Sequence, residues 1–210
     1  MARIVKNTTQ NSIVDIVCPH YCKGCDALGS LLCERCKKYL ITESIMSQYE
    51  KTPNFFVCGK RVGMLGQLVS EYKYGPVRGI VNVLARILDE LMPEIDGRVV
   101  VVPLPTVARH VRERGFDHMW LLARKLAKIR GWKCQKVLCR VNGTVQVGAS
   151  AEMRKKQAQS AYGLQKQIEK DVKYVLLDDV LTTGASMAAA ESVLRNAGAK
   201  KIYKAVIARS

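Results

Sequence analysis

No run of this 210-residue chain stays apolar long enough to cross a membrane, so no transmembrane helix is expected. Met1 to Gln10 lacks the apolar core of a secretory signal, and the chain is expected in the cytoplasm. The Gly-x₄-Gly-Lys-Ser/Thr pattern is missing, which excludes a P-loop. There is no internal repeat and no low-complexity linker. Acidic residues are scarce: 18 Asp and Glu stand against 34 Lys and Arg, a formal charge of +16. That imbalance attracts polyanions, either nucleic acid or polyphosphorylated small molecules, and does not choose between them. The length leaves room for one α/β domain and a small appendage.

What is present centres on Val175 to Ser186. Val175-Leu176-Leu177 is a short apolar run, the signature of a strand buried on both faces of a parallel sheet. Asp178 and Asp179 stop it. Leu181 to Ser186 form a small-residue turn, and Met187 to Asn196 is a strong helix former ending before Gly198. In open α/β sheets, ligands sit outside the carboxyl ends of the strands. A loop entering a helix N-terminus offers unpaired N–H groups to an anion. Thr182, Thr183 and Ser186 add hydroxyl donors, and Gly184 lets the backbone come close. A phosphate is expected there. Two carboxylates beside a phosphate need another task, and sugar hydroxyls or Mg²⁺ suit them. Together these describe a sugar-phosphate site; the bland alternative is a buried strand followed by a capped helix.

The same twelve residues resemble the 5-phosphoribosyl-1-pyrophosphate (PRPP) signature of type I phosphoribosyltransferases: apolar residues, two acidic residues, then Thr-Thr-Gly.

Eight cysteines in a cytosolic chain point to metal ligation more than to disulfides. Cys22-Lys23-Gly24-Cys25 and Cys33-Glu34-Arg35-Cys36 are two C-x₂-C knuckles, able to close a tetrahedron around Zn²⁺. Lys23, Arg35, Lys37 and Lys38 would offset part of the charge of four thiolates. Cys18 could substitute for Cys22 or stand as a spare, and the C-x₂-C spacing of Cys22 favours the spare; Cys58 reads as an isolated core or surface thiol.

Leu40 to Phe56 reads as a joint between this module and the main domain. Val62 to Tyr74 is expected to be helical, ending in Tyr72-Lys73-Tyr74, whose tyrosines suit packing and base stacking equally. Pro76 fits a first helical residue. Val77, Ile80, Val81, Leu84, Ile87, Leu88 and Leu91 form an apolar helical stripe that reads as core. Val99 to Val102 is a second buried strand, ended by Pro103-Leu104-Pro105. Just beyond it stand Arg109, Arg112 and Arg114, suited to bidentate phosphate recognition as a group, while any one of them could be a solvated helix residue. His110 and His118 could act in proton transfer. Met119, Leu122, Leu126 and Ile129 mark another helix, capped by Gly131. Trp132 to Val141 is expected as a strand. Arg154, Lys155 and Lys156 lie in a basic, Gln-rich segment that either orders over an anion or is a solvated helix. Lys201 to Ala208 is the last strand. Strands alternate with helices from Val99 onward, the pattern of a parallel doubly wound sheet.

With these pieces assembled, the chain resembles the ComF family of late-competence proteins over nearly its full length. The resemblance rests on the cysteine knuckles, Tyr72-Lys73-Tyr74, Val101 to Pro105, Arg112-Glu113-Arg114-Gly115-Phe116 and the PRPP signature. The family often carries Asn-Gln after Arg-Gly-Phe, where this chain has Asp117 and His118. It often carries Arg-x-x-Asn with a later Ala-Phe, where this chain has Arg154-Lys155-Lys156-Gln157 and Ala161-Tyr162. The resemblance implies a type I phosphoribosyltransferase-like α/β fold, a parallel sheet flanked by helices, at residues 61–210. A zinc-ribbon module and joint would occupy residues 1–60. It implies PRPP or a ribose 5-phosphate as ligand and structural Zn²⁺ on Cys22, Cys25, Cys33 and Cys36. Mg²⁺ would accompany PRPP. It also implies a link to competence machinery and single-stranded DNA in natural transformation. Asp178 and Asp179 would hold the ribose hydroxyls, directly or through Mg²⁺-bound water. Thr182, Thr183, Gly184, Ala185 and Ser186 would grip the 5-phosphate. The loop after Val102 would meet the pyrophosphate, with Arg109, Arg112, Arg114, Arg154 and Lys155 as candidates for pyrophosphate or DNA. A non-catalytic nucleic-acid-binding protein and a PRPP-sensing regulator are the alternatives.

Overall fold

The computed structural model of the chain describes residues 20–46, 54–75, 77–141 and 161–210. Among these residues β1 (Phe55–Val57), β2 (Val99–Pro103), β3 (Lys133–Cys134), β6 (Lys173–Leu181) and β7 (Lys201–Arg209) form one sheet. Its order is β1-β7-β6-β2-β3, and every neighbouring pair is parallel. β4 (Leu138–Arg140) and β5 (Tyr162–Leu164) pair antiparallel as a separate two-stranded sheet.

Side-chain alternation assigns each strand residue to one of two cores. Val99, Val101, Val175, Leu177, Ala205 and Ile207 face one side of the sheet. Val100, Val102, Leu176, Ile202 and Val206 face the other. Both faces are covered, which explains why these strands read as unbroken apolar runs. The first face is packed by α2 (Gly63–Tyr74), α3 (Ile80–Leu91) and α5 (His118–Arg130). The second is packed by α6 (Ala185–Asn196) through Met187, Ala190 and Leu194. The expected stripe buries Ile80, Leu84, Ile87 and Leu88 and partly covers Val81 and Leu91, while Val77 packs on the same core from the turn before α3, which begins only at Ile80. Pro76 lies outside the described residues. Gly131 ends α5 in the left-handed conformation, φ 68°, as a helix C-cap requires.

Three local expectations change. The segment Leu40 to Phe56, read as a joint, also carries regular structure: α1 (Glu34–Met46) starts inside the second cysteine knuckle and runs into it, and β1 opens at Phe55. β1 pairs Phe55 to Lys204 and Val57 to Val206 on β7, so the chain before residue 60 adds an edge strand to the sheet. Trp132 to Val141 is not one strand; Lys133–Cys134 joins β2 and Leu138–Arg140 turns into the small hairpin. β6 does not stop at its acidic residues. Val180 pairs with Ala208 and Leu181 with Arg209, because backbone pairing is indifferent to side-chain polarity.

The cysteine module is part of the same body. Cys22, Leu32, Cys36 and Leu40 share a core with Leu65, Leu68 and Leu88. Two ion pairs reinforce the contact: Lys23 to Glu71 at 2.9 Å and Lys37 to Glu90 at 2.8 Å. Among the described residues no helix is long and apolar enough to cross a membrane. A short four-residue loop (104–107) leads from β2 into α4 (Ala108–Arg114), which ends at Gly115 with φ 74°.

Candidate functional site

The cysteine cluster is the simplest site to assemble. The Sγ atoms of Cys22, Cys25, Cys33 and Cys36 all lie within 4.8 Å of one another. The backbone N–H groups of Gly24 and Cys33 point at Cys22 Sγ, at 3.4 and 3.3 Å. Burial would raise the Cys22 thiol, but these N–H donors outweigh it and pull its pKa below the ordinary range. Burial and hydrogen bonds from its neighbours push Cys36 the other way. A Cβ on Gly24 would sit 2.8 Å from Cys36 Sγ, so the first knuckle has room only for glycine. Four soft donors converging with N–H groups aimed at sulfur fit a tetrahedral Zn²⁺. Of the four cations expected near the thiols, Arg35 is engaged by Cys25, which raises its pKa. Lys23 and Lys37 turn instead to Glu71, and to Glu34 and Glu90. Cys58 is buried, and Cys18 lies outside the described residues.

The second site forms where β6 ends. Strand alternation sends Asp178 and Asp179 to opposite faces of the sheet. Asp179 shares the side of Val175 and Leu177, toward α2 and α5. Its Oδ2 accepts from Lys73 Nζ at 2.9 Å and lies 2.6 Å from His118 Nε2. Burial alone would raise this carboxyl. The His118 hydrogen bond and the charge and hydrogen bond of Lys73 outweigh burial and hold it at about 2. Asp178 is half-buried and accepts the N–H of Asp179 at 2.9 Å. Burial, then the negative charge of Asp179, push its carboxyl up to about 7. Among the described residues Asp178 has no ion-pair partner.

Thr182 and Thr183 follow on the exposed rim. Gly184 is left-handed, φ 77°, and serves as the N-cap of α6 with no side chain of its own. Thr183 Oγ1 accepts the N–H of Ala185 at 3.4 Å. Ala185 and Ser186 open the helix and are exposed. The structure therefore brings Asp178, Thr182, Thr183, Gly184, Ala185 and Ser186 to one edge, beside the loop after β2. That loop is tied in: Leu104 N–H donates to Leu177 O at 2.9 Å, and Arg140 Nε donates to Pro105 O at 2.9 Å.

The arginines of α4 divide. Arg109 pairs with Glu113 one turn on, at 2.6 Å, and both are exposed. Arg112 is exposed. Arg114 turns inward to His118 Nδ1 at 3.0 Å and lies over the Tyr74 ring. Arg154 and Lys155 fall outside the described residues. In the sequence Lys73 stands out only as the middle of Tyr72-Lys73-Tyr74, at the end of an expected helix and among the motifs of the resemblance, with no role of its own. His110 is exposed and apart from this group, whereas His118 is 3% exposed and inside it. Asp117 caps α5, accepting the Trp120 N–H at 3.1 Å, and binds Lys136 Nζ at 3.0 Å.

On the β1–β7 side of the same turn, a cleft of about 1190 Å³ is lined by Lys60, Arg61, Thr183, Gly184, Lys204 and Arg209, among others. Lys204 also pairs with Glu191, at 2.8 Å.

No protein-family model matches the chain, and no curated protein matches it. Several solved structures do. One is an allosteric regulatory enzyme of purine biosynthesis, 17% identical, with a TM-score of 0.46. Another is a glutamine PRPP amidotransferase from B. subtilis complexed with ADP and GMP, 16% identical, TM-score 0.47. The match covers 66% of this chain and 30% of each of those two. A purine phosphoribosyltransferase from Pyrococcus horikoshii Ot3 is 17% identical, with a TM-score of 0.37, over 69% of this chain and 85% of that one.

Proposed function

We propose that this protein binds PRPP and is a phosphoribosyltransferase-type protein. The carrying observation is the order strand, acidic pair, Thr-Thr-Gly turn and helix N-terminus, set at the carboxyl edge of a parallel sheet. In this reading residues 61–210 carry the sugar-phosphate site. Residues 1–60 are a zinc-binding module and joint that also supplies β1. Zinc on the four cysteines is structural, tying the knuckles to the core.

Thr182 to Ser186 hold the 5-phosphate with hydroxyls and helix N–H groups. Asp178 takes the ribose diol. Its carboxylate, half-buried and without an ion pair among the described residues, also suits a hard cation. Mg²⁺ held there with the pyrophosphate oxygens would supply charge neutralisation for the leaving group. The acceptor enters from the cationic cleft beside Thr183, and its lone pair bonds to the anomeric carbon. The bond from that carbon to pyrophosphate breaks, and pyrophosphate leaves with the electron pair. The loop after β2 and the exposed Arg109 and Arg112 of α4 stabilise that departing charge.

The finer role, handling of single-stranded DNA during natural transformation in the cytoplasm, is proposed from the resemblance to the ComF family. The charge of +16 is compatible with it. Pyrophosphate release from PRPP and Mg²⁺, assayed with nucleobases and with single-stranded DNA ends as acceptors, tests the transferase reading. Tight PRPP binding with no release from any acceptor would overturn turnover and leave a sensor. Single-strand binding that falls steeply with salt and survives D178N supports a separate DNA surface.

A further inference from the structure

The acidic pair reads as a repeat of one residue, yet the fold treats its members differently. Two side chains, Lys73 and His118, reach Asp179, and two more, Arg114 and Tyr72, hold His118. Lys73, near the end of α2, reaches Oδ2 at 2.9 Å with its own side chain 13% exposed. His118, the first residue of α5, brings Nε2 to 2.6 Å from the same oxygen. Arg114, at the end of α4, brings Nη1 to 3.0 Å from His118 Nδ1. Tyr72 hydroxyl donates to the His118 carbonyl at 2.6 Å, which pins the start of α5.

The hydrogen-bond inventory then points to one state of the ring. A guanidinium only donates and stays protonated in proteins. Facing Arg114, Nδ1 must present its lone pair. The one ring hydrogen of a neutral imidazole therefore sits on Nε2 and is donated to Asp179. A doubly protonated ring would set an N–H against an Arg114 N–H. His118 is thus a neutral spacer carrying a donor from α4 to the carboxylate, and Lys73 supplies the charge. Among the described residues, no comparable set of partners reaches Asp178.

We propose that the acidic pair is split by function. Asp178 is left to the ligand. Asp179 is locked into the fold by Lys73 and by a neutral, Nε2–H His118 that Arg114 orients. Lys73, Arg114 and His118 are then positioning residues: they act on the sugar-phosphate site through Asp179, by fixing the end of β6 and the turn it feeds. The role given to Asp178 rests on the PRPP reading above; the lock does not.

Two measurements separate the two. Nitrogen-15 NMR of histidine-labelled protein near neutral pH reads the tautomer directly, with His118 assigned by its disappearance in H118Q. The expected spectrum shows a protonated Nε2 and a bare Nδ1. A protonated Nδ1, in either the other tautomer or the imidazolium, overturns the lock. PRPP titration with Mg²⁺ then reads position. His118→Leu removes both hydrogen bonds and should weaken binding about tenfold or more. His118→Gln places an amide N–H toward Asp179 and a carbonyl toward Arg114, and should recover affinity to within about threefold of wild type. A glutamine variant that folds like wild type yet binds as poorly as the leucine variant overturns the positioning role. If wild type binds no PRPP, the part given to Asp178 falls with the functional reading, while the NMR result still decides the lock.

Discussion

Asp178 makes the sharpest thermodynamic prediction, because a site kept ready for a ligand weakens the empty fold. An unfolded aspartate titrates near about 4. In the folded chain burial and the neighbouring Asp179 charge push Asp178 up to about 7. The folded pKa lies above the unfolded one, so the contribution is fully present below about pH 4 and is lost as pH rises through 7. Each unit of separation corresponds to about 1.4 kcal/mol. Integrated between pH 5 and pH 8, the difference comes to about 2–3 kcal/mol lost by wild type. D178N carries no ionisable group there and escapes that loss. Urea unfolding of zinc-loaded wild type and D178N at the two pH values isolates the effect, since every other titrating group is common to both. D178N should be the more stable protein at pH 8, and its advantage should shrink toward pH 5. A variant less stable than wild type at pH 8, or a gap that does not change with pH, would refute the reasoning. The sign reverses for Asp179, held at about 2: its contribution is present above about pH 4 and fades as pH falls through 2.

Three further outcomes follow from other parts of the molecule. Arg130 is 5% exposed, pairs with Asp89 and donates to the carbonyls of Asp89, Met92 and Pro93 at the end of α3. Arg130→Met should therefore cost about 3–5 kcal/mol in urea unfolding, and a loss under about 1 kcal/mol would contradict this account. Gly24→Ala should lower metal content although all four cysteines remain, because its Cβ would crowd Cys36 Sγ; metal analysis of purified protein checks this. Gly184 meets only Leu181 at an ordinary 3.7 Å, so Gly184→Ala should cost about 1–2 kcal/mol from backbone strain alone, read by thermal unfolding.

The parts of the fold that sequence made plain are those whose signal is local. Val99 to Val102 and Val175 to Leu177 are buried on both faces, so their apolar runs announce parallel strands. Gly131 and Gly184 occupy left-handed caps that few other residues tolerate. The cysteine cluster was legible because two C-x₂-C knuckles so near in sequence have little choice but to meet. What stayed hidden depends on contacts between distant elements. Lys73 and Asp179 are separated by most of the sheet's sequence, and no periodicity marks them as partners. His118 looks like any histidine until Arg114 and Asp179 bracket it. The divergence of Asp178 from Asp179 could have been inferred from strand period alone, had the strand been carried past its acidic residues. Its true end at Leu181 is set by β7, whose pairing partners Ala208 and Arg209 lie at the end of the chain. Helix α1 was obscured because its first turn also carries the second knuckle.

The central claim is a sugar-phosphate site at the junction of β6 and α6. Calorimetric titration of PRPP into zinc-loaded wild type and D178N, each with and without Mg²⁺, tests it most directly. Wild type should bind saturably and more tightly with the metal, and D178N should not bind. No binding by wild type, or binding that D178N leaves intact, would contradict it.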